Sequence, residues 1–137
     1  MHQMRRGDSI RIMTKDIKGL GNDIIEIDRV RQSIERHGAA FIDRLFTKQE
    51  QKYCNQFKDS SIRFAGRFAA KEAIAKALGT GFRAEFSWHD VEILRDEKGK
   101  PIVHFSEKAK KHFQDPTVIL SISHSDHYAS AVALWVS

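Results

Sequence analysis

Asp23, Glu72, Lys76 and His124 have the types and surroundings that suit phosphate or metal chemistry. Glu72 and Lys76 stand four apart in RFAAKEAIAKALGTG (67–81), so on a helix they share a face. The small residues Ala65, Ala69 and Ala73 fall on the same strip and leave room for a third group to approach both charges. Asp23 lies between the glycine-bearing GLGN and the apolar IIEI. An acid inside a β-branched run costs free energy if it is buried without a cation or a hydrogen-bond donor. Two carboxylates completed by waters and substrate phosphates are a common protein arrangement for Mg2+. His124 closes VILSISH ahead of a turn, a place from which an imidazole binds phosphate, relays a proton or holds a metal. Each residue also has a plainer reading. Glu followed by Lys at i+4 is a common solvent-exposed pair, Asp23 suits an edge strand facing water, and His124 suits the rim of a sheet.

The elements that must position these residues follow from periodicity. IKGLGNDIIEI from Ile17 reads as a strand loosened by Gly19 and Gly21, which permit close approach of another backbone or a ligand. DRVRQSIERH (28–37) reads as a helix ending at Gly38, with Arg29 and Arg36 on one face. TKQE (47–50) is a capping box that opens a short helix to about Phe57. Ser60 or Ser61 caps a long helix that runs to Leu78 and stops at Gly79. In that helix Phe64, Phe68, Ile74 and Leu78 share an arc with Arg67 and Lys71, so it is not cleanly amphipathic. The apolar arc is expected to pack on the sheet; Lys71 has no assigned role. VEILRD, EKGK and PIVHF (91–105) read as strand, turn and strand, Ser106 caps a short helix, and VILSISH and YASAVALWV are two final strands. Helices early and strands late predict an α+β fold, an antiparallel β-sheet packed against a long helix. One domain spans 17–137, after a leader over 1–16 that lacks any period and is expected to be poorly ordered.

Composition narrows the class. The 137 residues carry a formal charge of +5, with 14 basic and 9 acidic side chains in residues 1–67 and 9 of each in 68–137. A basic half attracts nucleic acid, membrane surfaces or acidic proteins without choosing among them. Cys54, the single cysteine, excludes an internal disulfide and a Cys-clustered zinc site, which fits a reducing compartment. No run is apolar enough for a signal peptide or a membrane span, and the expected location is cytoplasmic. A Walker A loop, a G-x-S-x-G elbow, an RNA-binding aromatic signature and a zinc finger are all missing.

Taken in order, GLGNDIIEIDR (19–29), RFAAKEAIAKALGTG (67–81) and LSISHS (120–125) resemble the motifs of the bacterial holo-acyl-carrier-protein synthases, small 4′-phosphopantetheinyl transferases. The resemblance runs from residue 17 to about 136 and includes EKGKP in the hairpin. It implies that Asp23 and Glu72 bind Mg2+, that Lys76 and His124 hold phosphates of coenzyme A with Gly79 close by, and that Arg67 helps with the nucleotide end. The implied reaction moves the 4′-phosphopantetheine arm of coenzyme A onto a serine of an apo acyl carrier protein, releases adenosine 3′,5′-bisphosphate and supports fatty acid biosynthesis. Asp23 and Glu72, directly or through a metal-bound water, are the candidates for taking the serine proton, with His124 a weaker one if its imidazole holds phosphate. The family also implies a homotrimer with active sites at subunit interfaces.

Carrier proteins are acidic, so Arg29, Arg31 and Arg36 on the helix after Asp23 are candidate docking residues, with steering that weakens as salt rises. No nucleic acid or membrane partner is expected. Two other readings compete: a Mg2+-dependent phosphodiesterase or nuclease built on Asp23, Glu72 and Lys76, and a non-enzymatic basic binding module.

Overall fold

The computed structural model describes residues 16–137, so the leader expected over 1–16 lies, apart from Asp16, outside the described residues. Strand β1 (Ile17–Glu26) runs into helix α1 (Ile27–His37), and α2 (Ala39–Leu45) and α3 (Lys48–Cys54) follow. The long helix α4 (Ser60–Leu78) leads through a short 3-10 turn (Trp88–Asp90) to the hairpin β2 (Val91–Arg95) and β3 (Pro101–Phe105). Helix α5 (Glu107–His112) and strands β4 (Thr117–His124) and β5 (Tyr128–Val136) complete the chain. This is the expected α+β mixture, with two refinements. The strands divide into two antiparallel sheets, a three-stranded one in the order β1-β5-β4 and the separate hairpin. Helix α2 was not expected, because Gly38 looked like the end of the preceding helix; it ends α1 and also caps the next.

Capping chemistry sets the helix boundaries. Thr47 and Glu50 form the predicted capping box, and Ser106 accepts the Ala109 amide. For α4 the cap is Asp59, whose carboxylate accepts the Ser61 amide, rather than either serine. Gly79 closes α4 at φ 75, the left-handed conformation that glycine adopts without a Cβ penalty.

Helix α4 is the middle layer, and its two faces are filled in the reverse of the expected sense. The small residues, not the large apolar arc, meet the three-stranded sheet. A Cβ on Gly21 would lie 2.0 Å from the Ala73 carbonyl oxygen, and one on Gly19 would lie 1.9 Å from that of Ala77. Gly66 faces the Ile122 side chain of β4. The large arc packs on the other side, where Phe64 meets Phe46 at a ring separation of 4.9 Å and Ile74 joins Phe86, Val91 and Ile93. Buried on both sides, the helix needs no single apolar stripe.

That inner layer holds a buried ion pair. Lys71 Nζ lies 2.7 Å from Glu50 Oε1, and both side chains are 0% exposed. Nζ also donates to Leu45 O at 2.8 Å and Trp88 O at 2.9 Å, so its three protons are used. Glu50 accepts the Thr47 and Ile93 amides, at 2.8 Å each. Burial pushes the Lys71 ammonium pKa down, and the Glu50 carboxylate opposes that. Lys71 thus pins α4 to α2, to the turn before β2 and, through Glu50, to α3 and β2.

The outer face of the sheet carries Leu20, Ile24, Ile119, Tyr128 and Val132, all exposed. They align across the strands, Leu20 and Ile119 both opposite Leu134, and Val132 between Asn22 and Ser121. None of the described helices is long and apolar enough to cross a membrane.

Candidate active site

The glycine contacts that bring β1 onto α4 also bring the carboxylates together. Gly19, Gly21, Asp23 and Ile25 alternate onto the helix side of β1. With Gly21 seated on Ala73, Asp23 comes to lie beside Glu72, the residue before Ala73. Both acids line one open cavity of about 620 Å3, with Glu26 and Arg29. Val30, Phe41 and Phe68 give it an apolar wall. Lys76, one turn past Glu72, reaches back to β1, its Nζ 3.1 Å from Asp23 Oδ1 and 3.0 Å from Asn22 O.

Electrostatics marks the pair as a place for positive charge. Burial, and after it the neighbouring Asp23 carboxylate, push the Glu72 carboxyl up, while Lys76 pulls it down. Three acids line the cavity against Arg29 alone. Among the described residues there is no cluster of three or more metal-ligating side chains. Asp23 and Glu72 are the residues that could hold a divalent ion such as Mg2+, which keeps waters and takes its remaining oxygens from substrate phosphates.

The other expected site residues are placed differently. His124 is exposed at the end of β4. Asp23 pairs with Ala131 and Ala131 with Ile122, so His124 is two strands away from Asp23 and two residues farther along, about 12 Å at ordinary strand spacing and rise. Arg67 lies outside the cluster. It is 1% exposed, its guanidinium stacks 4.0 Å from the Tyr53 ring, and its Nε and one terminal nitrogen have no partner. The arc it occupies faces the inner layer of the fold. Gly79 lies outside the cavity, and its amide is engaged by the Lys76 and Ala75 carbonyls. Arg29 lines the cavity and, with Arg36, Gln32 and Ser33, a basic groove next to it. Arg31 departs from the expectation of a free docking charge, since it bridges Asp28 and Asp59.

Sequence reasoning missed the cavity wall and the support behind it. Phe41 belongs to the helix that was not anticipated, and nothing in the sequence marked it. Lys71 did leave a signal, a lysine among large apolar residues, but its partner Glu50 was visible only as a capping residue.

Comparison with known proteins identifies the family. Residues 19–133 match the family model of the 4′-phosphopantetheinyl transferase superfamily. The holo-[acyl-carrier-protein] synthase of Protochlamydia amoebophila is 53% identical over 119 residues, which span 87% of this chain and 98% of that protein. The crystal structure of Helicobacter pylori holo-[acyl-carrier-protein] synthase in complex with coenzyme A superposes with a TM-score of 0.79 at 35% identity, covering 86% of this chain and 99% of that one. The Bacillus anthracis enzyme in complex with CoA (3′,5′-ADP) gives 0.76 at 38%, covering 88% and 97%. Because sequence and fold agree along nearly the whole described chain, the protein belongs to the 4′-phosphopantetheinyl transferase superfamily.

Proposed function

We propose that the chain transfers 4′-phosphopantetheine from coenzyme A to a serine of an apo acyl carrier protein. The observation that carries the reading is the meeting of Asp23 and Glu72 at one cavity, with Lys76 paired to Asp23, within a chain of this family. Phosphoryl-group transfer requires mostly positioning and charge neutralisation. Mg2+ held by Asp23 and Glu72 would supply Lewis-acid polarisation of the diphosphate. Lys76 adds a mobile ammonium for the phosphate oxygens. The serine oxygen forms a bond to the phosphorus of the phosphopantetheine arm as the diphosphate P–O bond breaks. Adenosine 3′,5′-bisphosphate leaves with that electron pair, and the serine proton passes to a carboxylate of the pair, directly or through a bound water.

The assembly we favour is a homotrimer with active sites at subunit interfaces. Supporting it are the exposed apolar outer face of the sheet and the separation of His124 from the carboxylates, which a neighbouring subunit's His124 would make good. Arg29 lines the cavity and Arg36 the groove next to it, a basic pair that suits an acidic carrier. A cytoplasmic location matches the substrates.

The test is to incubate the protein with coenzyme A, Mg2+ and apo carrier protein and weigh the carrier. A gain of one phosphopantetheine group, abolished by a chelator, is expected. An unmodified carrier alongside cleaved nucleic acid would replace this reading with the nuclease one. Binding of acidic partners without modification would favour the non-enzymatic module.

A further inference from the structure

The apolar wall of the cavity takes no part in the chemistry proposed above. Its two rings, Phe41 of α2 and Phe68 of α4, are half-buried and must be held from behind. One short segment reaches both helices. Trp88, in the 3-10 turn Trp88–Asp90, stacks on Phe68 at a ring separation of 5.2 Å, and Phe82 stacks on Trp88 at 3.9 Å. The next residue, His89, donates from Nε2 to Asp43 O at 2.7 Å, and Asp43 follows Phe41 by two residues in α2. With seven residues, α2 is short of the roughly 12 that an isolated helix needs in water, and its last carbonyls have no partner within the helix. His89 takes the carbonyl of Asp43, and Lys71 takes those of Leu45 and Trp88. The turn is itself locked. The Asp90 carboxylate accepts the Ser87 amide and the Ser106 hydroxyl, at 2.7 Å each, and pairs with Lys108 at 3.1 Å. Trp88 therefore fixes one ring, and His89 fixes the helix that carries the other.

Position along α4 points to what the rings meet. Phe68, Glu72 and Lys76 follow one another at intervals of four, so they share a face with one turn, about 6 Å, between neighbours. A diphosphate held at Glu72 and Lys76 can continue along that face toward Phe68. The pantetheine arm begins with an ester methylene and then a carbon that bears two methyl groups and no polar atom, close enough to the phosphate to rest one turn from Glu72. We propose that Phe41 and Phe68 form the subsite for this dimethyl-bearing end of the arm, and that Trp88 and His89 are positioning residues that set the gap between the two rings. The inference rests on the functional reading above, with coenzyme A as the donor.

The experiment compares, by calorimetry on the full chain with Mg2+, the binding of coenzyme A and of 3′-phosphoadenosine 5′-diphosphate, which keeps the nucleotide and diphosphate but lacks the arm. It is run on the wild type, Trp88→Leu, Trp88→Phe, His89→Ala and His89→Gln. Trp88→Leu is expected to weaken coenzyme A about fivefold, the worth of one aromatic stack. His89→Ala should weaken it about as much, the worth of one hydrogen bond. Both should leave the armless ligand unchanged. Trp88→Phe keeps a ring and His89→Gln keeps a donor, so each should recover most of the loss. In the carrier-modification assay the two losses should raise KM for coenzyme A and leave KM for the carrier as it was. Equal weakening of both ligands would make the turn a support of the fold or of the nucleotide end, and would overturn the proposal. So would a raised KM for the carrier alone, which would give the rings to the carrier. If Trp88→Leu does not fold, the exposed His89 decides: unchanged coenzyme A affinity in folded His89→Ala would overturn it as well. A wild type that bound neither ligand would sink the functional reading, whereas a wild type that bound both, with variants that lost nothing selectively, would sink this proposal alone.

Discussion

Adding one methyl group at Gly21 tests how the fold sets the carboxylate pair. The Cβ of Gly21→Ala would stand 2.0 Å from the Ala73 oxygen, 2.7 Å from the Ala77 nitrogen and 3.0 Å from the Ala73 carbonyl carbon, where ordinary contacts begin near 3.4 Å. All three atoms are backbone, so no side chain can yield. Strand and helix must separate, by about 1 Å or more to relieve the shortest contact. Asp23 follows Gly21 by two residues on the same face, and Glu72 adjoins Ala73, so the separation falls on the carboxylate pair. Overpacking of this kind costs about 1–3 kcal/mol, and a misplacement near 1 Å costs on the order of a hundredfold in rate. Where the backbone can accept it, the same substitution stabilises, by about 0.4–1 kcal/mol through the unfolded state; the sign of the effect is therefore informative. Urea unfolding and the rate of carrier modification measure the two consequences. Gly19→Ala, with its clash at Ala77 one turn farther from the pair, should lose similar stability and less activity. If Gly21→Ala equalled the wild type in both stability and rate, the claim that this contact sets the site would be refuted.

Other expectations concern the supports of the site. Lys71→Met leaves the Glu50 carboxylate buried without its cation and should lower stability by about 3–5 kcal/mol in urea unfolding; a loss below about 1 kcal/mol would contradict the role given to the pair. Burial pushes the Asp90 carboxyl up, but bonds from the Ser87 amide, the Ser106 hydroxyl and Lys108 outweigh it and hold the pKa at about 2, against an ordinary 3.8. A depressed carboxyl stabilises the fold above its unfolded pKa, and that stabilisation fades as pH falls through the folded one. Asp90→Asn should therefore flatten the stability profile between pH 4 and 2 by about 2 kcal/mol, and an unchanged acid limb would count against it. Burial also pushes the Cys54 thiol up to about 12, so thiol reagents at pH 8 should label the protein only when it is unfolded, one group per chain. Rapid labelling of the native protein would show the inner layer to be open.

The order of elements and the site motifs were legible because they depend on local chemistry: capping boxes, glycine stops and short alternating runs. The identity of Asp23, Glu72 and Lys76 as a set came from motif order, since spacing alone left an exposed ion pair as a sound reading. What local rules could not give is which side of α4 meets the sheet. A wheel assigns the large apolar residues to the core, but this helix has core on both sides. The side with glycines opposite alanines is the one that allows backbone contact and so places the carboxylates. Lys71 was opaque for the same reason, because its partner Glu50 comes from twenty-one residues away in sequence and was already accounted for as a cap. The orphaned Arg67 nitrogens have no explanation in the described residues.

The most direct test of the central claim is the mass of an apo carrier protein after incubation with coenzyme A and Mg2+ and either the wild-type chain or its Asp23→Asn and Glu72→Gln variants. The account predicts full conversion to the phosphopantetheinylated mass by the wild type. It predicts no conversion over the same period by either variant, each with the circular dichroism and melting behaviour of a folded protein. Full conversion by both folded variants would contradict it.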